Sequence, residues 1–369
     1  MLKLRASYGI GGNIGRNTAP YLIASYYDSS LVDGMAGSVN TPPNKDIRWE
    51  KTTTVNVGVD FALFRHRLSG TIEYYNKYSV DLLAAINGSP TQGFGYTTLM
   101  TNNGKMVNQG VEITLSGEII RQKDFSWNAS LLYAFNRNKV KHISVQPSLW
   151  DSRISMPTSY PMVGKPLYGI YAYKWAGLNE NGDPQVYDAE NNVTSGPARD
   201  YHALVYCGTT VPIHNASLTN VLRYKGFEFS AMLILDAGHK LRSSNIPSIN
   251  MSNGRITSTA KGIVDRWTQP GDVTDVPRLL FSNDTENFNT HRTELYRYSD
   301  LFVYDASNIR LSNISLAYRV PAHWCKKISL SGARLQFNVE NVATFAFDSK
   351  ANYDLGGKVK PNYVWGIVF

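Results

Sequence analysis

Residues that could take part in chemistry are scattered along this 369-residue sequence without the spacing that catalysis requires. The glycine-rich run 9–12 follows a strand-like pattern, but residues 13–17 begin no helix, so a phosphate-binding loop is not predicted. Residues 179–183 carry amide and carboxylate side chains without the twelve-residue spacing of a calcium loop, which predicts a turn. No G-x-S-x-G nucleophile motif occurs.

The histidines and cysteines also lack the spacing of metal ligands. Cys207 and Cys325 form no C-x-x-C pair, and a disulfide between them is left open. We therefore expect no metal, no cofactor and no enzymatic activity. The seven histidines are His66, His142, His202, His214, His239, His291 and His323.

Aromatic side chains in one long segment carry the only hint of binding. Tyrosine and tryptophan can stack on sugars or fill the pockets of a partner protein. They can equally pack a loop against itself or lie at a membrane interface. We favour the packing interpretation, and both stay open. The six candidates are Trp150, Tyr160, Tyr168, Tyr171, Tyr173 and Trp175.

Strict two-residue alternation is the dominant pattern around these segments. In residues 52–64, Val55, Val57 and Val59 fall on one face of a strand, while Thr54 and Asn56 fall on the other. Residues 67–79 repeat the alternation after a very short break. Two long strands around a tight turn predict a β-hairpin, and their length exceeds the 5–6 residues usual for soluble sheets. Such lengths match tilted strands that cross a bilayer.

Ten segments in all show this alternation, and the connections between them alternate between short and long. Short periplasmic turns and long extracellular loops are typical of outer-membrane barrels. The pattern predicts an all-β, antiparallel transmembrane β-barrel whose apolar face contacts outer-membrane lipid. Counting strand directions, residues 138–212 must hold an even number of spans, most simply none. The segments are 2–9, 52–64, 67–79, 107–120, 125–137, 213–224, 227–238, 306–320, 327–341 and 361–369.

Composition excludes other classes of protein. No run of about 18 apolar residues occurs, so a transmembrane helix is not predicted. The net charge of +8 comes from scattered lysines and arginines, which gives no support for nucleic-acid binding. The mean hydropathy of −0.28 is compatible with a barrel, because half of each strand faces a polar interior.

Two alternatives remain open from the residues alone. One is a self-contained ten-stranded outer-membrane barrel that acts as an enzyme or adhesin, which would require pairing of segment 2–9 with segment 361–369. The other is a soluble β protein with large insertions, in which the apolar faces would pack on each other.

Short motifs spread over nearly the whole chain carry a resemblance to a known family. The final strand, with Tyr363, Trp365, Ile367 and Phe369 on one face, also resembles the signal that directs barrels to their insertion machinery. The other motifs are 7–9 with 12–13, 49–58, 108–113, 163–169, 176–178 with 182–184, 265–268 with 276–278, 306–311, 316–318 with Pro321, and Asn338 with Asn341. Together they resemble the SusC/RagA family of TonB-linked outer-membrane proteins.

The resemblance implies a 22-stranded TonB-dependent transporter barrel closed by an N-terminal plug in the cell outer membrane. It also implies uptake of glycans or oligosaccharides, in some members peptides, with a SusD-like surface lipoprotein as lid and energy from TonB–ExbB–ExbD. The sequence shows no family-like signal peptide, TonB-contacting segment or plug. Residues 1–369 are therefore expected to be the C-terminal portion of the barrel, with TonB contacted through the missing N-terminal part.

Overall fold

Ten strands form one antiparallel sheet, which we call the wall. A computed structural model describes residues 1–15, 20–28, 34–87, 91, 98–145, 151–196, 200–252, 255–256, 260–281, 290–327, 329–356 and 361–368. The wall strands are β1 (Leu2–Asn13), β2 (Glu50–Leu63), β3 (Leu68–Asn87), β4 (Thr98–Arg121), β5 (Phe125–His142), β6 (His214–Tyr224), β7 (Phe227–Ala237), β8 (Asn308–Arg319), β9 (Arg334–Ala346) and β10 (Asn362–Val368).

Each wall strand pairs with the next wall strand in sequence, so the wall is a simple meander. All ten predicted strands are confirmed, although β3 and β4 run 20 and 24 residues and extend well past their predicted loop ends. The start of β9 is a correction: residues 327–333 do not belong to the strand, because helix α3 (Ala322–Lys327) occupies part of that turn. The described residues between β5 and β6 add no strand to the wall, as the direction count predicted.

The two faces of the wall differ in polarity, as the alternation predicts. Val57, Ile72 and Leu218 lie on one face with 49%, 44% and 36% of their surface exposed, and no protein layer covers them. This finding contradicts the soluble alternative, in which apolar faces would pack on each other. An exposed apolar face of this length is the surface that a barrel presents to lipid.

The edges of the wall are β1 and β10, and they lie at opposite ends of the strand order. Each pairs with a single neighbour, β1 with β2 and β10 with β9. The closed ten-stranded alternative is therefore wrong, since it required these two strands to pair. Open edges expose unpaired backbone N–H and C=O groups, which are not stable in lipid.

The short connections lie at one end of the wall, which we call the turn end. The β6–β7 turn consists of two residues, with Lys225 at a φ of +51°. The β2–β3 turn places Phe64, Arg65 and His66 at positive φ. A left-handed backbone conformation lets the chain reverse direction within a few residues. The two-residue alternation can therefore resume directly after each short turn.

The long connections at the loop end fold into small sheets of their own. The β5–β6 and β7–β8 connections pack together, and we call their described residues the cap. The cap sheets join Gly169–Tyr173 with Leu204–Thr209, Trp175–Leu178 with Pro184–Tyr187 and Val193–Thr194, Lys240–Arg242 with Val303–Asp305, and Asn250–Ser252 with Arg255–Ile256 and Leu280–Phe281. Outside the cap, Ile23–Asp28 pairs with Met35–Thr41 in the β1–β2 connection.

Helices are short throughout the described chain. None of the described helices has the length and apolar character needed to span a membrane. They are α1 (Ser152–Ser155), α2 (Thr290–Arg297), α3 and α4 (Asn352–Gly356), together with 3-10 turns at Tyr201–Ala203, Lys261–Asp265, Asp300–Phe302 and Ser349–Ala351.

The buried hydrophobic clusters lie in the cap. One cluster is formed by Tyr171, Tyr173, Val186, Ala203, Leu204 and Leu295, and the other by Ile249, Tyr296 and Phe302.

Candidate functional site

The polar face of the wall carries a row of charged side chains near β1. Strand register places Arg5 opposite Gly58, Gly58 opposite Glu73, and Glu73 opposite Glu112. Arg5 donates two hydrogen bonds to Asp60, at 2.8 and 2.9 Å, and its Nη2 lies 3.5 Å from Glu73. A Cβ at Gly58 would lie 3.2 Å from the same Nη2, so the glycine leaves room for the guanidinium.

The same row continues into a concave site on β4 to β7. Register aligns Glu112 with Ala134, then Asn215 and Asp236, and Asn215 donates a 2.7 Å hydrogen bond to Asp236. A cavity of about 250 Å³ lies here, with Thr114 and Ser217 also in its lining. Amide, hydroxyl and carboxylate groups on one concave surface can hydrogen-bond a polar ligand such as a sugar or a peptide backbone.

A second cavity, of about 500 Å³, lies where β3 and β4 extend past the rest of the wall. Leu83, Met100 and Val140 give it apolar walls, with Glu50 and His142 among its polar groups. Glu50 accepts a hydrogen bond from the Leu83 N–H at 2.9 Å, beside the bulge between Ser79 and Leu82. The bulge bends β3 at the loop end and thereby forms the cavity.

The predicted aromatic residues separate into buried and accessible sets. Tyr171 and Tyr173 are 1% and 0% exposed, and burial raises the pKa of both phenols. Their place in the cap core supports the packing interpretation and leaves no ring face for a ligand. Tyr160 is partly exposed and Tyr168 is exposed. Trp150 lies outside the described residues.

Trp175 is intermediate in exposure between the buried and the accessible aromatic residues. Its indole Nε1 donates a 3.0 Å hydrogen bond to Asp275, and its ring centre lies 5.9 Å from that of Tyr296. The indole therefore packs partly against the second cap cluster while one edge stays accessible. A ligand role for Tyr160, Tyr168 and Trp175 stays a prediction.

Three family-like motifs, far apart in sequence, meet in the cap. Gly182, at a φ of +73°, lies against the ring of Trp267, where a Cβ would overlap the indole. Asp183 accepts hydrogen bonds from Arg278 at 2.9 and 3.1 Å and from Arg292 at 2.6 Å. The predicted turn at 179–183 is confirmed, since the Asn179 side chain accepts from two backbone N–H groups of that turn.

The electrostatics of this cluster are dominated by burial. Burial alone would raise the pKa of the Asp183 carboxyl, but the hydrogen bonds and charges of Arg278 and Arg292 hold that pKa below its ordinary value. Arg292 is only 3% exposed, and burial lowers the pKa of its guanidinium. Its Nη1 has no hydrogen-bond partner among the described residues. Arg292 was not predicted from the sequence, because nothing local marks a charged residue that pairs across the cap.

The cysteines and histidines do not assemble into a metal site within the described ranges. Both thiols are free, so the disulfide left open by the sequence is not formed. Cys207 lies in a cap strand, where burial raises its pKa to about 11, whereas Cys325 lies in α3 at the turn end.

The predicted insertion signal lies on the edge strand β10. Tyr363 and Trp365 are exposed, and Tyr363 stacks on Phe337 of β9 with 6.5 Å between ring centres. Ile367 pairs through its backbone with Leu335, and Phe369 lies outside the described residues. A role in barrel insertion stays a prediction for all four.

Comparison with known proteins agrees with this architecture. The family model described as TonB dependent receptor-like, beta-barrel matches residues 1–342. TonB-dependent receptor P3 of Formosa agariphila is 27% identical over 95% of this chain, and TonB-dependent receptor SusC of Bacteroides thetaiotaomicron is 26% identical over 92%. The alignments cover 36% and 34% of those relatives, so the chain spans about a third of their length.

A solved structure of similar fold is described as the RagAB peptide transporter. It superposes with a TM-score of 0.75 over 99% of this chain and 40% of its own chain, at 24% identity. At this identity the likeness concerns the fold. It places the ten-stranded wall and its cap together in one known barrel architecture.

Proposed function

This chain belongs to the TonB-dependent receptor-like β-barrel family of the outer membrane, and we propose that it forms the C-terminal part of the wall of a SusC-like nutrient importer. The observation that carries the proposal is the contrast between the two wall faces. One face is apolar and uncovered, as lipid requires, while the other carries the Arg5–Asp60 pair and the Glu112–Asp236 row. A sheet of this kind separates lipid from a polar interior.

The proposed substrates are glycans or oligosaccharides, with peptides as the second candidate. Hydroxyl and amide groups in the 250 Å³ cavity suit the dense hydroxyls of a sugar, and accessible Tyr168 could stack on a sugar ring. Peptides stay in consideration because the solved neighbour of similar fold is described as a peptide transporter. The mechanism requires binding and movement and no bond chemistry.

The partners follow from the same proposal. A SusD-like surface lipoprotein would cover the loop end, where the cap and the extended β3–β4 hairpin project. Residues 1–369 would be the C-terminal portion of the barrel, whose open edges β1 and β10 pair with further strands. A plug and a TonB-contacting segment in the N-terminal part would connect the barrel to TonB–ExbB–ExbD.

The test compares uptake through wild-type receptor with uptake through two neighbouring tryptophan variants. Ser217→Trp adds an indole to the lining of the polar cavity, whereas Leu218→Trp adds it to the apolar face, where it meets lipid and no protein layer. Labelled oligosaccharides and labelled oligopeptides are supplied to cells with matched receptor levels in the outer membrane. We expect Ser217→Trp to reduce uptake of one substrate class about threefold or more, because loss of one or two hydrogen bonds weakens binding by this order.

The controls separate the parts of the proposal. Leu218→Trp should leave uptake unchanged. Disruption of the gene should abolish uptake of the same class, and unchanged uptake of both classes after disruption would overturn the import function. Equal effects of the two tryptophan variants would overturn the assignment of the polar face as the substrate side.

A further inference from the structure

A third cavity, of about 450 Å³, lies between the loop end of β5 and the cap, with Phe135 and His214 of the apolar face in its lining. In β5, Trp127, Leu131 and Phe135 lie on the apolar face, and alternation by two places Arg137 and Lys139 on that same face. Both basic residues line this cavity. They follow the apolar band directly toward the loop end.

A segment of the cap supplies a third basic residue. Gly164 donates its N–H to the Val140 carbonyl at 2.8 Å, and Val140 donates its N–H to the Lys165 carbonyl at 2.9 Å. These bonds hold residues 164–165 alongside the end of β5. Lys165 lines the same cavity, and its Nζ lies 4.8 Å from the centre of the Tyr206 ring.

Arg137 also acts on Tyr206. Burial raises the pKa of the Tyr206 phenol, and the positive charge of Arg137 opposes this rise. Arg137 and Lys165 therefore lie near the Tyr206 ring, and Lys139 lines the same cavity. We call Arg137, Lys139 and Lys165 the basic pocket.

The basic pocket is not neutralised by the protein. No aspartate or glutamate lines it, and within the described ranges none of its three cations forms an ion pair. Arginines elsewhere behave differently: Arg5 pairs with Asp60, and Arg292 pairs with Asp183. A concave site with three unpaired cations favours an anionic ligand.

The position of the basic pocket along the membrane normal indicates where such an anion would come from. From Trp127 to Phe135 the strand runs about 26 Å along its own axis, which at a tilt of about 35–45° covers about 20 Å of the roughly 25 Å apolar band of outer-membrane barrels. Tyr133, Phe135 and His214 form an aromatic group at the upper limit of this band, with the Tyr133 hydroxyl 2.9 Å from His214 Nδ1. Arg137 and Lys139 follow within about 13 Å of strand, or about 10 Å along the membrane normal, which brings them to the level of the lipid headgroups.

We propose that the basic pocket binds the phosphate group of an anionic lipid in the outer leaflet of the outer membrane. The lysines and the guanidinium supply charge-assisted hydrogen bonds, and the apolar face below, from Phe135 to Trp127, contacts the acyl chains. Basic pockets between membrane-spanning elements are known to hold anionic headgroups in this way. The inference depends on the position of the wall in the outer membrane and is independent of the transported substrate.

The experiment uses the receptor purified from its own outer membrane and placed in nanodiscs. The probe is bisphosphorylated lipid A, compared with the same lipid after enzymatic dephosphorylation and with inorganic phosphate alone. The variant Arg137→Gln/Lys139→Gln/Lys165→Gln removes the three charges. The matched control Arg65→Gln/Lys123→Gln/Lys326→Gln removes three exposed charges at the turn end.

We expect native mass spectrometry to show the bisphosphorylated lipid retained by wild type and control, and retained on the order of a hundredfold more weakly by the pocket variant. The dephosphorylated lipid should bind wild-type receptor as weakly as the phosphorylated lipid binds the pocket variant. Equal retention of both lipids by wild type would overturn the proposal even if the variant failed to assemble. Displacement by millimolar inorganic phosphate alone would assign the pocket to a free anion and overturn the lipid assignment.

Discussion

The wall and the cap place their apolar side chains in opposite ways. In the wall, Val57 and Leu218 are partly exposed on a face that no protein layer covers. In the cap, Tyr173 and Val186 are fully buried, and Leu295 nearly so, in a cluster typical of a soluble domain. Backbone hydrogen bonds between strands hold the wall together, and lipid covers its apolar face. The cap is held by hydrophobic burial, which water drives.

One chain therefore contains a region whose apolar side chains face lipid and a region whose apolar side chains are buried from water. The same alternation of apolar and polar residues builds the wall, but its apolar half faces outward. The cap stands above the membrane, and its residues obey the ordinary rule that apolar groups are inside. Mutations should therefore have effects that depend on the region more than on the residue type.

The largest contrast is expected for truncation of apolar side chains. Tyr173→Ala should cost about 3–5 kcal/mol of cap stability, because it removes buried surface and leaves a cavity. Leu131→Ala on the wall should lose only the transfer free energy, about 2 kcal/mol, because lipid chains fill the space. Limited proteolysis of the cap and the gel mobility of unheated barrel measure the two regions separately. Faster cleavage of the cap in Leu131→Ala than in Tyr173→Ala would contradict the proposed difference between wall and cap.

The next effect concerns the Asp183 cluster and should be confined to the cap. Asp183→Asn leaves the buried Arg292 guanidinium without a carboxylate partner. Removal of one partner of a fully buried ion pair lowers the free energy of unfolding by about 3–5 kcal/mol. We expect a smaller loss of cap stability here, because Asp183 is partly accessible to solvent. Cap proteolysis at neutral pH is the measurement, and the conservative change Arg278→Lys serves as control. A cap as resistant as wild type would show that the ion pairs do not hold the cap together.

The same carboxylate predicts a pH dependence. The pKa of the Asp183 carboxyl is lowered in the folded cap. The carboxylate therefore stabilises the cap fully above its unfolded pKa of about 3.9, and this stabilisation is lost as the pH falls toward the folded pKa. Proteolysis with an acid protease between about pH 5 and pH 2 should reveal cap opening in wild type. The Asp183→Asn variant should lack this step, while the mobility of the barrel should change in neither protein.

The smallest effect separates backbone strain from packing within the cap. Gly182 and Gly177 both have positive φ, at +73° and +97°, but only Gly182 has a neighbour where a Cβ would stand. Gly177→Ala should cost about 1 kcal/mol from strain alone, whereas Gly182→Ala should cost about 1–3 kcal/mol more because Trp267 must move. Limited proteolysis of the cap at increasing concentrations of denaturant compares the two variants. Equal losses would mean that the contact with Trp267 is unimportant.

Local pattern explains why the wall could be predicted so fully. Alternation with a period of two is visible within a single strand, so residues such as Val57 and Asn56 reveal their opposite faces without knowledge of any partner. Short and long connections then fix the direction of each strand. The extra length of β3 and β4 was missed because bulges, as at Ser79–Leu82, interrupt the period.

Tertiary structure decided everything that depends on contacts between distant segments. Strand register, which aligns Arg5 with Gly58 and Glu73, cannot be read from one strand, since a shift by two residues keeps the same faces. Arg278 and Arg292 lie 95 and 109 residues from Asp183, and only the folded cap brings them together. Lys165 joins Arg137 through backbone pairing beside Val140, which no local sequence pattern indicates. The strands and their two faces follow from the sequence alone, because they are local properties. The row beside Arg5, the Asp183 cluster and the basic pocket depend on contacts between distant segments, which exist only in the folded chain.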